Sequence, residues 1–123
     1  MLERGRAKNA YDAVYSVTEG KIKEYRSHVK QMPMLIKTNG LAQALLFART
    51  KKEKKIIYKH INDWLLLESN LEKFNLSKEQ KEIIDIVIKT DSSTYRLITT
   101  EVMAYIEWLK RFAEGREVGE IGG

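Results

Sequence analysis

The chain has 123 residues, of which 43% are hydrophobic and 32% charged, and it contains no cysteine. This composition excludes a disordered chain, and at this length one domain buries roughly two thirds of the unfolded surface. Disulfides and thiolate metal sites are excluded as well, in keeping with a reducing cytoplasm. Because no apolar run reaches the length of a signal peptide or a membrane span, we expect a cytoplasmic protein with no membrane partner.

Positive charge is concentrated in the first half of the chain. Residues 1–60 carry 14 Lys and Arg against 5 Asp and Glu, a net charge of +9. Residues 61–123 carry 8 against 12, a net charge of −4. The segment RTKKEKKIIYK (49–59) alone has a net charge of +5. Such a concentration is typical of a surface that binds a polyanion, although a solvated, lysine-rich helix start has the same pattern.

Apolar residues recur at helical spacing, without alternating strand patterns, which predicts an all-α fold: a compact bundle of about five to six helices. The first helix is expected from about Leu2 to Thr18, with Gly20 interrupting the pattern. Its inward positions are Ala7, Ala10, Tyr11, Val14 and Val17. A second helix is expected over 21–32, with inward positions Ile22, Tyr25, Val29 and Met32.

The segment MPMLIKTNGLAQALLFA (32–48) combines helical spacing with two unusual features. Pro33 lacks an amide hydrogen and suits a first helical turn, so we expect it to end the second helix and begin a third. Asn39-Gly40 resembles a hairpin turn, but no alternating pattern flanks it. A glycine inside a helix costs about 1 kcal/mol relative to alanine. Gly40 therefore indicates a close backbone approach, a helix break or a ligand contact.

The second half predicts three more helices. A fourth helix is expected from roughly Lys51 to Leu71, with inward positions Ile57, Ile61, Trp64, Leu65 and Leu71. Ser77 and Gln80 match a capping box that precedes a fifth helix with Ile83, Ile84, Val87 and Ile88.

The turn at 90–94 precedes a long final helix with inward positions Ile98, Val102, Tyr105, Leu109 and Phe112. Gly115 is expected to end this helix. We therefore predict a single helical domain over 1–115 and a flexible C-terminal tail over 116–123.

The sequence contains no recognisable catalytic motif. His28 and His60 lack the spacing of a metal motif, and no Glu-x-x-His pair, glycine-rich phosphate loop, HExxH motif or nucleophile elbow is present. The helically spaced pairs Glu24–His28 and His60–Asp63 are typical of structural contacts. We predict a protein that is not an enzyme and has no catalytic residue, metal or cofactor.

Nucleic-acid binding is the remaining chemistry. Basic residues at 51, 52, 55 and 59 share much of one helix face, which separates a cationic side from an apolar one. Such residues neutralise phosphates without reading sequence. The predicted RNA-binding residues are Arg26, Lys30, Lys37, Arg49, Lys51, Lys52 and Lys55. Tyr11, Tyr25 and Trp64 could stack on bases, but each lies on an apolar stripe, which favours core packing. A helix-turn-helix with a recognition helix over 41–49 is a weaker alternative, because LAQALLFAR is too apolar to read base edges.

Three segments, RAKNAYDAV (6–14), YRSHVKQMPMLIKTNGLAQALLF (25–47) and WLKRFAEG (108–115), together resemble the small-subunit family of type III-B CRISPR effector complexes, the fifth protein of the Cmr complex. The resemblance implies a helical subunit without catalysis of its own, acting in antiviral defence. It also implies that copies stack head to tail beside the backbone subunit, that one end meets the large subunit, and that CRISPR RNA and target RNA lie in the groove.

The residues agree with this resemblance in two respects. A basic first half and an acidic second half suit head-to-tail stacking, and a cationic face without base preference suits any target RNA. A break at Gly40 would let backbone groups approach RNA or a neighbouring subunit. Two other functions remain open: a stand-alone helical DNA-binding regulator, and an adaptor that binds only proteins.

Overall fold

A computed structural model describes residues 2–79 and 81–122, with side chains described over 5–79 and 81–116. Within that part the chain forms seven α-helices and no strand: α1 (Leu2–Tyr15), α2 (Ile22–Asn39), α3 (Leu41–Thr50), α4 (Lys55–Leu65), α5 (Glu68–Lys73), α6 (Ile83–Lys89) and α7 (Ser92–Gly122). Two 3-10 turns, Glu19–Lys21 and Lys52–Lys54, precede α2 and α4. The all-α prediction is confirmed, with more and shorter helices than the five to six expected.

The long helix α7 organises the bundle. It packs against α1 and α2 and touches α4, while α3 packs against α2, α4 and α6. The predicted inward positions of α7 at 98, 102, 105 and 109 are fully buried, because they recur at the helical period and face the other helices. The largest fully buried side chains are Tyr25, Met32, Leu41, Leu45, Ile57, Ile61, Leu65, Ile83, Ile84, Ile98, Tyr105 and Ile106.

The predicted boundary at Pro33 is wrong, because α2 continues through this residue to Asn39. Proline removes one internal hydrogen bond from a helix. Burial of Val29, Met32 and Ile36 on either side of Pro33 stabilises the continuous helix against that loss. The helix ends seven residues after Pro33 instead, at Gly40.

Gly40 has φ +85°, a backbone conformation that residues other than glycine rarely adopt. Its amide hydrogen-bonds to the Ile36 carbonyl at 2.8 Å and closes α2. The hydroxyl of Tyr95 in α7 accepts a hydrogen bond from the Ala42 amide at 3.0 Å and caps α3. A Cβ at Gly40 would lie 3.3 Å from that hydroxyl oxygen. The break therefore places the start of α3 at the Tyr95 hydroxyl of α7. The segment expected as a single third helix over 32–48 belongs to two helices, α2 and α3.

The predicted fourth helix is also divided, into α4 and α5. The Asn70 side-chain amide donates to the Trp64 carbonyl at 2.7 Å, which stabilises the turn between them. The predicted capping box is not the start of α6. Ser77 only accepts from the Glu79 amide, and Gln80 lies outside the described residues. Instead, Asn62 of α4 accepts from the Ile83 amide at 2.7 Å and caps α6 from across the bundle.

Two predicted inward residues are exposed. Tyr11 on α1 and Ile88 on α6 both face solvent, whereas Ile86 is buried in the place expected for Ile88. The other three predicted inward residues of α6, Ile83, Ile84 and Val87, are buried. Phe112 of α7 is partly buried against Tyr11.

The start of α7 agrees with its sequence, since Asp91 accepts a hydrogen bond from the Thr94 amide at 2.7 Å. Its predicted end at Gly115 is wrong: the helix continues to Gly122. Arg116 donates to the carbonyls of Val14 and Val17, which ties this part of α7 to the end of α1. The flexible tail at 116–123 stays a prediction. None of the described helices is both long and apolar enough to cross a membrane.

Candidate nucleic-acid interface

Three of the predicted RNA-binding residues form one stripe along α2. At 3.6 residues per turn, Arg26, Lys30 and Lys37 lie within about 40° of each other around the helix. They share this stripe only because α2 continues through Pro33. Lys30 and Lys37 are exposed, whereas Arg26 is half-buried. The Lys30 ammonium lies 3.9 Å from Glu114 of α7, a loose and solvent-exposed pair.

Lys23 extends the same stripe by one turn and is exposed. Lys23 is not among the predicted RNA-binding residues. The signal was present, since Lys23 lies three residues before Arg26 and therefore on the same side of the helix. The stripe thus spans the length of α2 from its first turn to its last.

The other four predicted residues lie where α3 passes into α4. Lys51, Lys52 and Lys55 are exposed. The Lys51 ammonium lies 5.3 Å from the centre of the Phe47 ring, a cation–π contact at the surface. This group leaves three ammonium groups directed to solvent within five positions of the chain.

Arg49 differs from these lysines because its guanidinium is paired. It donates to both carboxylate oxygens of Glu82 at 3.3 and 3.4 Å, and Tyr58 donates to the same carboxylate at 3.0 Å. The hydrogen bond that Arg49 donates to Glu82 raises the pKa of Arg49. Burial, together with the same carboxylate, raises the pKa of the Tyr58 hydroxyl. Arg49 therefore joins α3 to α6 and presents less net charge to a ligand than the lysines do.

Lys54 belongs to the same basic segment but is buried. Its ammonium donates to the Gln31 side chain of α2 at 2.6 Å, and burial lowers its pKa. Next to it, Nδ1 of His28 hydrogen-bonds to the Glu53 carbonyl at 3.1 Å. These contacts fasten the 3-10 turn at Lys52–Lys54 to α2 and hold Lys52 and Lys55 at the surface.

The seven predicted residues consequently form two groups. Lys30 faces α7, whereas His28 faces the 3-10 turn, and the two lie about 160° apart around α2. The α2 group comprises Arg26, Lys30 and Lys37, and the α3–α4 group comprises Arg49, Lys51, Lys52 and Lys55. The predicted single cationic face is therefore two flanks of α2. Spacing along the chain could not reveal this, because the packing of the 3-10 turn decides it.

The aromatic residues also divide into two kinds. Tyr25 and Trp64 are buried, as their position on an apolar stripe of the sequence predicted. Tyr11 is 46% exposed and stacks on Tyr15 with ring centres 4.5 Å apart. Its ring meets the edge of Phe112, so its surroundings are largely other aromatic side chains. Of the three candidates for base stacking, only Tyr11 reaches the surface.

The buried carboxylate of Glu101 is the most enclosed acid in the described residues. Arg6 donates to it through two bonds at 2.7 and 2.9 Å, and the Trp64 indole donates at 3.0 Å. Lys73 adds a contact at 3.4 Å. Burial would raise the pKa of Glu101, but these donors outweigh burial and lower it. The carboxylate is ionised and surrounded by donors, which suits a link between α1, α4 and α7 rather than proton transfer.

The two histidines have structural partners. Nδ1 of the buried His60 lies 2.7 Å from the Tyr25 hydroxyl. Burial, and the nearby charge of Lys59, lower the pKa of His60 to about 4, so the ring is neutral at pH 7. The predicted His60–Asp63 contact is not what holds the ring, since Asp63 pairs with Lys59 at 2.7 Å. No group of three or more His, Cys, Asp or Glu that could hold a metal occurs among the described residues.

Comparison with known proteins identifies the relatives of this chain. Residues 2–116 match the model of the family described as CRISPR-associated protein (Cas_Cmr5). The chain is 30% identical over 111 residues to the CRISPR system Cmr subunit Cmr5 of Thermus thermophilus, covering 88% of this chain and 89% of that one. The X-ray crystal structure of a CRISPR-associated Cmr5 family protein from the same organism superposes with a TM-score of 0.74 at 26% identity, covering 94% and 96%.

Proposed function

The chain belongs to the Cmr5 family of CRISPR-associated proteins, and from that premise we propose that it is the non-catalytic small subunit of a type III-B CRISPR effector (Cmr) complex. Its role is to line the groove for guide and target RNA with exposed cations. The observation that carries the RNA part is the exposure of Lys30, Lys37, Lys51, Lys52 and Lys55 on the two flanks of α2. Ammonium groups neutralise phosphates without base preference, as any target RNA requires.

The proposed partners follow from the same premise. They are the backbone and large subunits of the complex, further copies of this chain, the CRISPR RNA and the target RNA, all in the cytoplasm during antiviral defence. The charge difference between the halves of the chain, +9 against −4, supports contact between copies.

The absence of catalysis in this proposal is supported by how the candidate groups are engaged. His60, His28 and Glu101 each hold two or more helices or turns together through the hydrogen bonds described above. A general acid or base must reach a substrate proton, and a residue engaged in holding the bundle is poorly suited to that role.

A stand-alone DNA-binding regulator is the alternative, and α3 is the recognition helix that the sequence offers for it. Its outward residues include Gln43, Leu46 and Phe47. Two of these three are apolar and offer nothing to the polar edges of bases. This composition favours the RNA-complex proposal over the regulator.

Purification through a tag on this chain from its native host tests the assembly. We expect recovery of further Cmr subunits with a short guide RNA. Recovery of the chain alone, together with a preference for one duplex DNA sequence, would overturn the proposal in favour of the regulator.

Salt dependence tests the RNA contacts in the purified complex. The variants Lys30→Ala/Lys37→Ala and Lys52→Ala/Lys55→Ala each remove two exposed charges. The control Lys81→Ala/Lys89→Ala removes two exposed charges from the acidic half. Each lost phosphate contact should make the log–log slope of RNA affinity against salt shallower by about 0.7. Test variants that behave like the control would contradict the assignment of RNA contacts.

A further inference from the structure

We propose that the groove between α2 and α3 holds an unpaired base of the RNA, with the base stacked on the ring of Phe47 and its phosphate bound by Lys51. This inference rests on the RNA contacts of the proposed function and adds a contact of a different kind to them. The lysines neutralise phosphates, whereas a stacked base adds affinity that does not depend on charge. Every base has a flat face, so the contact suits any RNA sequence.

The groove is a cavity of about 600 Å³ that opens to solvent between two consecutive helices. Its wall combines apolar groups, among them Leu35 and Phe47, with the polar side chains of Asn39, Gln43 and Thr50. Nucleobases have the same combination, because their faces stack on aromatic rings and their edges carry hydrogen-bonding groups. The volume lies in the range typical of sites that hold small molecules.

The ring of Phe47 is the stacking surface of the groove. Phe47 is 38% exposed, and the Lys51 ammonium lies 5.3 Å from the ring centre. Lys51 is itself exposed, so its side chain can leave the ring. A cation–π contact at an exposed site is weaker than a base stacked on an aromatic ring. A base therefore replaces the ammonium at the ring, and the ammonium, one helical turn away, binds the phosphate of the same nucleotide.

Two side-chain amides favour a base over an apolar side chain of another protein. Asn39 and Gln43 are exposed, and neither amide has a hydrogen-bond partner among the described residues. An apolar occupant would cover these amides without offering them a partner, which costs free energy. A base edge carries both donors and acceptors, and an amide can pair with either. The groove thus matches both the face and the edge of a base.

The charges around the groove favour a polyanion. No Asp or Glu is among the described residues that line it. Lys51 lies at the end of the groove next to the ring, and Lys54, which is held by a bond to α2, lies 6.0 Å from the ring centre. The acids of neighbouring segments are paired with arginine or line other clefts: Glu82, Glu53 and Asp85. Because Lys51 also belongs to the α3–α4 group, the groove continues the proposed RNA interface.

Substitution of Phe47 in the purified complex tests the stacking. Phe47→Leu keeps an apolar side chain but removes the aromatic face, and should weaken RNA binding by at least about 5-fold. Phe47→Trp keeps the face and should bind RNA at least as tightly as the parent. The salt slope should stay unchanged in both, because stacking releases no counterions. Tyr15→Leu is the matched control, since it removes a ring that is 48% exposed on α1, outside the groove.

Three results of this series would overturn the proposal. They are an unchanged affinity with Phe47→Leu, an equal loss with Phe47→Trp, and an equal loss with Tyr15→Leu. A Phe47→Leu complex that lacks one of its protein subunits would also overturn it, because the groove would then hold a protein segment. Thermal unfolding of the free chains checks that each variant folds.

Ultraviolet crosslinking locates the contact without any substitution. Mass spectrometry of the irradiated complex with bound target RNA should find a nucleotide crosslinked to Phe47. Crosslinks that include Lys52 or Lys55 but no residue of the groove would overturn the base site.

The lysine variants separate this proposal from the one it rests on. If Lys52→Ala/Lys55→Ala makes the salt slope shallower while Phe47→Leu leaves the affinity unchanged, the phosphate contacts stand and the base site is refuted. If neither variant changes RNA binding, both proposals fail.

Discussion

The charges around Glu101 and the charges on the two flanks of α2 occupy contrasting environments. The Glu101 carboxylate is 2% exposed and receives donors from Arg6, Trp64 and Lys73. Lys52 and Lys55, in contrast, lie at the surface and face solvent. A buried ion pair is costly to break, because the remaining charge stays uncompensated, whereas an exposed charge contributes little to folding. The interior charges thus set stability, and the surface charges are available for a ligand.

The largest effect is expected from Glu101→Gln. The substitution removes the charge that Arg6 and Lys73 face and should lower the free energy of unfolding by about 3 kcal/mol. Glu107→Gln is the control, because Glu107 is half-exposed and pairs only loosely with Arg111 at 3.7 Å. Urea unfolding of both variants measures the difference. Equal free energies of unfolding for the two variants would show that the buried network around Glu101 contributes no more to stability than a surface ion pair.

The next effect is a loss of stability on acidification, caused by His60. Its pKa of about 4 in the folded chain lies below the ordinary value of 6.5, so the unfolded chain binds the proton first. Stability should therefore fall as the pH is lowered from 6.5, by about 2 kcal/mol at pH 4.5. The carboxyl group of Glu101 contributes little to this slope above pH 4.5, because its pKa lies below 4.5, the ordinary value for a glutamate.

Two histidine variants isolate this effect. His60→Asn keeps a hydrogen-bonding group near the Tyr25 hydroxyl but cannot titrate, so the slope of stability against pH should flatten over this interval. His28→Asn, at the partly exposed histidine, is the matched control. The opposite pattern, a slope that follows His28, would contradict the assignment.

Gly40→Ala should have a smaller effect, a loss of about 1 to 2 kcal/mol, because an alanine at φ +85° is strained. Its Cβ would also press on the Tyr95 hydroxyl. Gly20→Ala is the control, since Gly20 has no atom within 4 Å of an added Cβ and no positive φ. Thermal unfolding should rank Gly40→Ala well below Gly20→Ala. A Gly40→Ala chain as stable as the Gly20→Ala control would revive the ligand-contact explanation for the glycine.

The smallest effect is expected from surface charges. Lys52→Ala/Lys55→Ala and Lys59→Ala should each change the free energy of unfolding by no more than about 0.5 kcal/mol. Lys59 pairs with Asp63 four residues on, and both side chains are exposed. Denaturant midpoints close to that of the parent chain are the expected result. A large loss with the lysine pair would mean that these residues serve the fold rather than a ligand.

The candidate site was predictable in its residues but not in its shape. Exposed lysines at 30, 37, 51, 52 and 55 follow from helical spacing and charge, which are local properties. Arg49 could not be separated from them by sequence, because its partner Glu82 lies 33 residues away along the chain. The exposed ring of Phe47 was also missed, although Gln43 and Thr50 on the same side of α3 are polar and indicate the outward side.

The sequence by itself determined the all-α class, most of the buried positions and the cap at Asp91, because helical period and capping act within a few residues. Three features were decided only by the tertiary structure. The helix α2 continues through Pro33, the Tyr95 hydroxyl caps α3 after the break at Gly40, and the Asn62 side chain caps the start of α6. Each of these depends on contacts between residues far apart in the chain. Burial of the residues around Pro33 outweighs one lost hydrogen bond, and a hydroxyl or amide from another helix supplies a cap that no local pattern encodes.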